Sequence, residues 1–405
     1  SEGYPWVKMR PVGAKDKRWL FELKEVSDGF ECSNIDSELR DVLLLKEQMR
    51  KRGLIPSSFY TAMLKDARIP KEKVNIPGKT RVFEMSPIDL TIAQRQFMLP
   101  FCASYMQNRM GCENTIGINV NGPEWTGLYN KLTSFSPYIL AGDYSSYGPK
   151  MEINVLYKAL EIIKRWSLFY GQGYDEVEFE TLIHEIVTSP VVVHNYVVRP
   201  SAGMASGNVA TVIFNSLVNS LYMRLAYLEI MRELNPVEAS LVSFEFNVCM
   251  FSNGDDVIMA VADKVINDFN NGSLQTCYAN HNLKYTNSKK DMEVVDYEEI
   301  HEVQYLKCHF REHPFREGCV LAPLERISIL DCPQWVWKTD RDYVMATVEN
   351  CEQAIRLAYG HGPEFFNYVK ETVLAWLREE GLFCEMPTWS HLDILVWEVQ
   401  EVILK

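Results

Sequence analysis

The chain has 405 residues, 47% hydrophobic and 12% aromatic, which supports a sizeable core and excludes a disordered or low-complexity protein. A net charge of −13 excludes a protein that coats nucleic acid over its whole surface, and no apolar run is long enough to span a bilayer. Ten cysteines scattered from Cys32 to Cys384 form no tight pairs, so the expectation is a soluble protein of a reducing compartment with mostly core thiols.

Charge is unevenly spread along the chain. Residues 65–81 carry six basic against two acidic side chains, whereas residues 341–405 carry eleven acidic against five basic. That polarity suits an enzyme that guides an anion along one channel and stays soluble elsewhere.

The opening SEGYPW has neither an initiating methionine nor a polar lead-in, as expected of a piece of a longer protein. Asp36 to Leu54 reads as a helix, with Asp36 as N-cap, Leu39, Val42, Leu43 and Leu44 as apolar positions and a basic exit at Arg50 to Arg52. Lys71 to Glu84 reads as two short strands around Pro77-Gly78, with Lys71 and Lys73 on one face and Lys79 and Arg81 on one face of the return strand. Such a basic hairpin is equally explained as a solvated edge guarded by lysine.

Ser136 to Gly142 reads as a buried strand delivering Asp143 at its end. The small-residue loop SAGMASG (201–207) then precedes a helix expected from Asn208 to Leu234, for which Ser206 alone would serve as a cap. Val242–Phe251 and Val257–Val261 read as strands of a hairpin, since Asn-Gly between such runs is a strong turn signal. A turn does not need the adjacent Asp255 and Asp256. Two neighbouring carboxylates repel each other unless a cation or a base sits between them, and a divalent metal is the simplest answer. Asp143 and Asp255 together could hold two Mg²⁺ ions, the arrangement used for in-line phosphoryl displacement.

Read in order, these elements resemble the motif series of the RNA-dependent RNA polymerases of picornavirus-like positive-strand RNA viruses. GYPW (Gly3 to Trp6) resembles motif G, so the resemblance lays Gly3, Tyr4 and Pro5 along the entering RNA. KDARIPKEKVNIPGKTR (Lys65 to Arg81) resembles motif F, which gives Lys73 and Arg81 the incoming triphosphate. GDYSSYG (Gly142 to Gly148) resembles motif A, SGNVATVIFN (Ser206 to Asn215) motif B, and NGDD (Asn253 to Asp256) motif C. KYTNSKK (Lys284 to Lys290) resembles motif D and YLKCHFR (Tyr305 to Arg311) motif E, the primer grip. Seven motifs in the family's order are far more specific than any one of them. APLERISILDCPQW (322–335) and ENCEQAIRLAYGHGPEFF (349–366) resemble the thumb of insect members of the iflavirus and dicistrovirus type.

The resemblance implies an α/β (α+β) right-hand polymerase, with fingers in 1–136, palm in 137–150, a fingers insertion in 151–200, palm again in 201–311 and a helical thumb in 312–405. The N-terminal part of the fingers is expected to be missing. It further implies Asp143 and Asp255 as ligands of two Mg²⁺ ions, with Mn²⁺ an acceptable substitute, and Asp256 as a secondary ligand. Lys290 is the preferred general acid, with Lys289 beside it; Asn215, helped by Ser206 and Thr211, reads the ribose 2′-hydroxyl; and Lys307 meets the primer backbone. Expected partners are template and primer RNA, NTPs, other viral replication proteins and a protein primer, in the host cytoplasm at membrane-associated replication complexes.

Two positions depart from the pattern. Gly148 stands where the family carries a second motif A aspartate, and Asn253 where a tyrosine commonly precedes Gly-Asp-Asp. A zinc reading of Cys308, His309, His313 and Cys319 fits no standard spacing. Two rival functions remain. A reverse transcriptase would use a bulky aromatic to exclude the 2′-hydroxyl, a gate that Gly148 cannot supply. A non-enzymatic RNA-binding or assembly module would bury three unpaired carboxylates at a cost of several kcal/mol.

Overall fold

The computed structural model describes residues 2–171, 173–288, 295–337 and 341–403, with side chains as far as residue 398. The chain divides into two compact units: residues 1–108 with 146–222, and residues 109–145 with 223–405. All of the segment expected as thumb and most of that expected as palm fall in the second unit. All ten cysteines are free, with Cys102, Cys277, Cys308 and Cys351 fully buried. No helix among the described residues is long and apolar enough to cross a membrane.

In the first unit, Asp36 caps the Ser37–Lys51 helix by accepting from the backbone N–H groups of Glu38 and Leu39, as its position before the apolar repeat requires. That helix joins Ile88–Gln107 and Glu176–Thr188 through buried charges. Lys46 Nζ lies 2.5 Å from Asp89 and 2.7 Å from Ser58 Oγ. The Ser58 hydroxyl donates to Glu185 at 2.6 Å, and Arg50 Nε donates to Glu185 at 2.7 Å. Trp6, from GYPW, is buried and donates its indole N–H to Asp89 at 2.7 Å.

A four-stranded sheet in the same unit corrects the expected basic hairpin. Val82–Met85 pairs antiparallel with Tyr60–Leu64, not with residues 71–76, and Lys71–Lys73 forms a 3₁₀ turn. The Lys65 N–H donates to the Arg81 carbonyl at 2.8 Å, closing residues 65–81 into a loop between the two strands. Prolines 70 and 77 cannot donate to a ladder, which disfavours the strand pairing that period two suggested.

In the second unit an antiparallel sheet has the strand order Lys284–Asn287, Ile139–Ser145, Asp256–Val261, Val248–Asn253. Ile139 to Ala141 and Val257 to Val261 are essentially inaccessible, so these strands are apolar on both faces. One face packs on Trp125, Leu128 and Leu132 of the Pro123–Phe135 helix and on Tyr305, Cys308 and Phe310. Trp125 stacks on Phe310 with centroids 4.4 Å apart. The strand expected from Val242 begins only at Val248. Residues Leu241–Asn247 form a helix capped by Ser240, whose hydroxyl accepts from the Ser243 N–H.

The expected thumb segment is helical. Tyr343–Leu357, Pro363–Glu379 and Trp389–Ile403 enclose Ile355, Tyr359, Phe366, Trp389 and Trp397. Asp393 at its centre accepts hydrogen bonds from Tyr359 (2.8 Å), Arg316 (2.8 Å) and His313 (2.7 Å). The backbone N–H groups of Phe315 and Arg316 donate to His313 Nδ1, which leaves Nε2 carrying the proton it gives to Asp393.

Candidate active site

The ladder carries Asp143, Asp255 and Asp256 to the same end of the two inner strands of the sheet in the second unit. The last paired residues of two adjacent strands are Gly142 and Val257, so the next step of the ladder sets Asp143 beside Asp256. Asn253 pairs with Asp256 across a two-residue turn, leaving Gly254 and Asp255 at its tip. The turn is thus centred one residue later than the Asn-Gly signal implies, and Gly254 takes φ +70°, a conformation that suits glycine at the first central position. Asp143, expected at a strand end, lies inside its strand and pairs with Thr286. All three aspartates are half-buried. Carboxylates placed at the same end of adjacent strands supply the oxygen donors that a hard divalent cation such as Mg²⁺ takes.

Tyr285 was not among the sequence candidates. It is fully buried beside Asp143, and burial, reinforced by the Asp143 charge, pushes its phenol well above the ordinary range. Its hydroxyl has no hydrogen-bond partner among the described residues and occupies the space where a side chain at Gly142 would stand. Lys307, the expected primer contact, is exposed at the tip of a tight turn. Tyr305 and Cys308 exchange two backbone hydrogen bonds of 2.9 Å, and Leu306 and Lys307 between them both take left-handed conformations, φ +53° and +62°. Cys308 lies in the core below, and His313 is committed to Asp393, so the four-residue zinc reading of this segment does not assemble. Lys289 and Lys290 lie outside the described residues.

In the first unit, Lys73 and Arg81 are exposed on the 65–81 loop. The strand after that loop holds the small-residue segment through Glu84. The Ser206 N–H and hydroxyl both lie 3.2 Å from the Glu84 carboxylate, and the Gly207 N–H donates to the Glu84 carbonyl at 2.8 Å. A side chain at Gly207 would sit 2.2 Å from that carbonyl, so this close approach needs glycine. Ser206 is therefore not the helix cap: the helix starts at Thr211, whose hydroxyl lies 2.9 Å from both the Ser206 and Asn208 carbonyls.

Sequence reasoning also missed Asn208, which anchors the segment. Its Oδ1 accepts from Tyr60 and Gln94, each at 2.7 Å, and its Nδ2 donates to the Ala205 carbonyl. Asn215 accepts a hydrogen bond from the Tyr147 hydroxyl at its backbone carbonyl, while its side-chain Oδ1 is buried with no partner among the described residues. A side chain at Gly148 would touch nothing within 4 Å. The Met204 N–H donates to the Gly148 carbonyl at 3.1 Å. Tyr60, Glu84, Gly148, Leu156, Met204 and Ser206 are among the residues that line a cavity of about 300 Å³. Of the motif G residues, Gly3 is buried against the Ser86–Pro87 backbone, whereas Tyr4 and Pro5 are exposed.

A profile of the viral RNA-dependent RNA polymerase family matches residues 1–378. The genome polyprotein of Deformed wing virus is 35% identical over 399 residues, covering 97% of this chain and 14% of that polyprotein. The replicase polyprotein of Acute bee paralysis virus is 29% identical over 399 residues, 96% of this chain and 20% of its own length. That of Drosophila C virus is 28% identical over 389 residues, 93% of this chain and 21% of its own length. These insect-virus relatives agree with the placement expected from residues 322–335 and 349–366, and the chain spans only about a seventh to a fifth of their length. Among solved structures, the Sicinivirus 3Dpol RNA dependent RNA polymerase has a TM-score of 0.76 at 20% identity, covering 97% of this chain and 75% of that one, a likeness of fold. With an antiparallel sheet that gathers Asp143, Asp255 and Asp256, and with a family match over nearly its whole length, the chain belongs to the viral RNA-dependent RNA polymerase family.

Proposed function

We propose that this chain is an RNA-directed RNA polymerase, a nucleotidyltransferase that adds NTPs to an RNA 3′ end under the direction of a template. The observation that carries the reading is the register that brings Asp143, Asp255 and Asp256 to the same end of two adjacent inner strands of a buried sheet. Asp143 and Asp255 would hold two Mg²⁺ ions, or Mn²⁺, with Asp256 as a secondary ligand. When bound, such ions lower the pKa of the primer 3′-hydroxyl and neutralise the triphosphate and leaving pyrophosphate.

The protein's own groups divide the remaining work. Lys73 and Arg81 hold the phosphates, Arg81 with a planar fork suited to bidentate contact. Lys290 is assigned the proton for the leaving pyrophosphate. Asn215 reads the ribose 2′-hydroxyl, a donor that would satisfy its lone Oδ1 once the side chain turns toward it. Ser206 and Thr211 act by shaping the loop before Asn215, because their hydroxyls are engaged there. Tyr4 and Pro5, supported by Gly3, line the template path, and Lys307 meets the primer backbone. The partners are template and primer RNA, other viral replication proteins and a protein primer, at membrane-associated complexes in the host cytoplasm.

Primer extension on a homopolymer template, with NTPs against dNTPs and with or without Mg²⁺, tests the reading. Extension by NTPs only, dependent on the ion, is the expected result. Extension by dNTPs alone points to the reverse transcriptase. RNA binding without any extension points to a non-enzymatic module.

A further inference from the structure

Away from the three aspartates, a group of metal-ligating side chains gathers among the described residues of the second unit. The donor atoms of Glu229, Cys277 and His281 all lie within 4.8 Å of one another. Cys277 belongs to the Asn271–Asn280 helix and His281 is its C-cap, so the two stand one turn apart on the same face. Glu229 reaches them from the Thr211–Leu234 helix, with its Oε2 2.8 Å from His281 Nε2. A surface histidine–carboxylate contact alone contributes little. What distinguishes this one is a buried thiol directed at the same carboxylate.

We propose that Glu229, Cys277 and His281 form a site for a thiophilic divalent cation, Zn²⁺ in the first instance, with solvent water completing four-fold coordination. Sulfur, imidazole nitrogen and one carboxylate oxygen are a zinc donor set; Mg²⁺ and Ca²⁺ call for oxygen alone. The two outer ligands are about half exposed, which gives the ion a path in and a place for water. Burial, the Glu229 charge and the hydrogen bond to Glu229 push the Cys277 thiol up to about 12, so binding expels one proton from sulfur and leaves a zinc thiolate.

The site has a mechanical consequence. The Leu283 N–H donates back to the Tyr278 carbonyl as the helix turns into strand Lys284–Asn287, and that strand pairs with the one carrying Asp143. An ion bound here ties the helix that feeds this strand to the Thr211–Leu234 helix, and should therefore raise the thermal midpoint of the protein.

The test uses the wild-type chain, Asp255→Asn, Cys277→Ser and His281→Gln, each equilibrated with Zn²⁺ or Co²⁺ and desalted before the metal is counted. Asp255→Asn removes one of the three aspartates and should still retain one Zn²⁺ per chain, with a raised thermal midpoint. Co²⁺ should give tetrahedral spectra with a thiolate charge-transfer band, absent in Cys277→Ser. Loss of either ligand should weaken binding at least about tenfold. Because Cys277 is buried, His281→Gln at an exposed position carries the test should Cys277→Ser fail to fold. Unchanged affinity in His281→Gln, or a wild-type Co²⁺ spectrum without the thiolate band, overturns the site.

Discussion

Asp255 stands at the tip of a turn whose neighbour, Gly254, absorbs the unusual backbone conformation, so its carboxylate can be exchanged without disturbing the strands on either side. Asp255→Asn should abolish nucleotide addition and leave the fold intact, because an amide binds Mg²⁺ poorly and carries no balancing charge. Elongation above roughly a tenth of wild type, a barrier change of only about 1.4 kcal/mol, would contradict the assigned role. Asn215 offers a second test at this scale. Its buried Oδ1 has no partner among the described residues, so Asn215→Ala should cost little stability while reducing the preference for NTPs over dNTPs by about 1–3 kcal/mol. Selectivity is read from competing incorporation of the two nucleotides. Open space around Gly148, and no carboxylate there, is why the burden should fall on Asn215.

Among the elements, the Tyr305–Cys308 turn holds two non-glycine residues in left-handed conformations, an arrangement that persists because the buried Tyr305 and Cys308 and the backbone bonds between them over-determine it. Lys307→Gly should relieve about 1 kcal/mol of strain and raise the denaturant midpoint, yet weaken primer–template binding through the lost charge. Lys307→Ala loses the same charge and keeps the strain, so the pair of variants separates the two effects in KM for primer–template and in unfolding. The helices of the first unit depend instead on buried ions. Removing Glu185 strands Arg50, 2% exposed, without its counter-charge, and Glu185→Ala should lower unfolding stability by about 3–5 kcal/mol. A loss below about 1 kcal/mol in a denaturant titration would show that water reaches Arg50 and that the network is less closed than its distances imply.

At the scale of the whole molecule, acid should act on both units. In the first, the Arg10 guanidinium and, to a lesser degree, the Trp19 indole hold the buried Glu2 carboxyl at about 2, against 4.5 ordinarily. In the second, burial raises Asp393, but hydrogen bonds from Arg316, Tyr359 and His313 outweigh it and hold the carboxyl below its usual value. Carboxyls lowered in the folded state contribute stability that is complete above their unfolded values and is lost as pH falls through the folded ones. For Glu2 the window runs from 4.5 down to about 2 and is worth on the order of 3 kcal/mol. Glu2→Gln should flatten that part of the pH dependence when denaturant midpoints are compared across the acid range.

The sequence alone determined what is local or strictly ordered. Asp36 before an apolar repeat is a cap wherever it stands, Asn-Gly between strand-like runs turns the chain to within one residue, and adjacent Asp255 and Asp256 point to a candidate cation site that a turn alone does not explain. The order of seven motifs carried the fold class and the family. Only the tertiary structure decided which groups meet across long stretches of chain. Ser206 could not reveal as a sequence that its partner is Glu84, 122 residues earlier, nor Asn208 that Tyr60 and Gln94 hold it. Lys71 to Arg81 read as a hairpin because lysines alternate there, yet the return strand found a better partner in Tyr60–Leu64, where every backbone group between the prolines is not asked to pair. Glu229, Cys277 and His281 came together for the same reason: a helix places side chains by period within itself, but which face meets another helix is settled by packing the whole core.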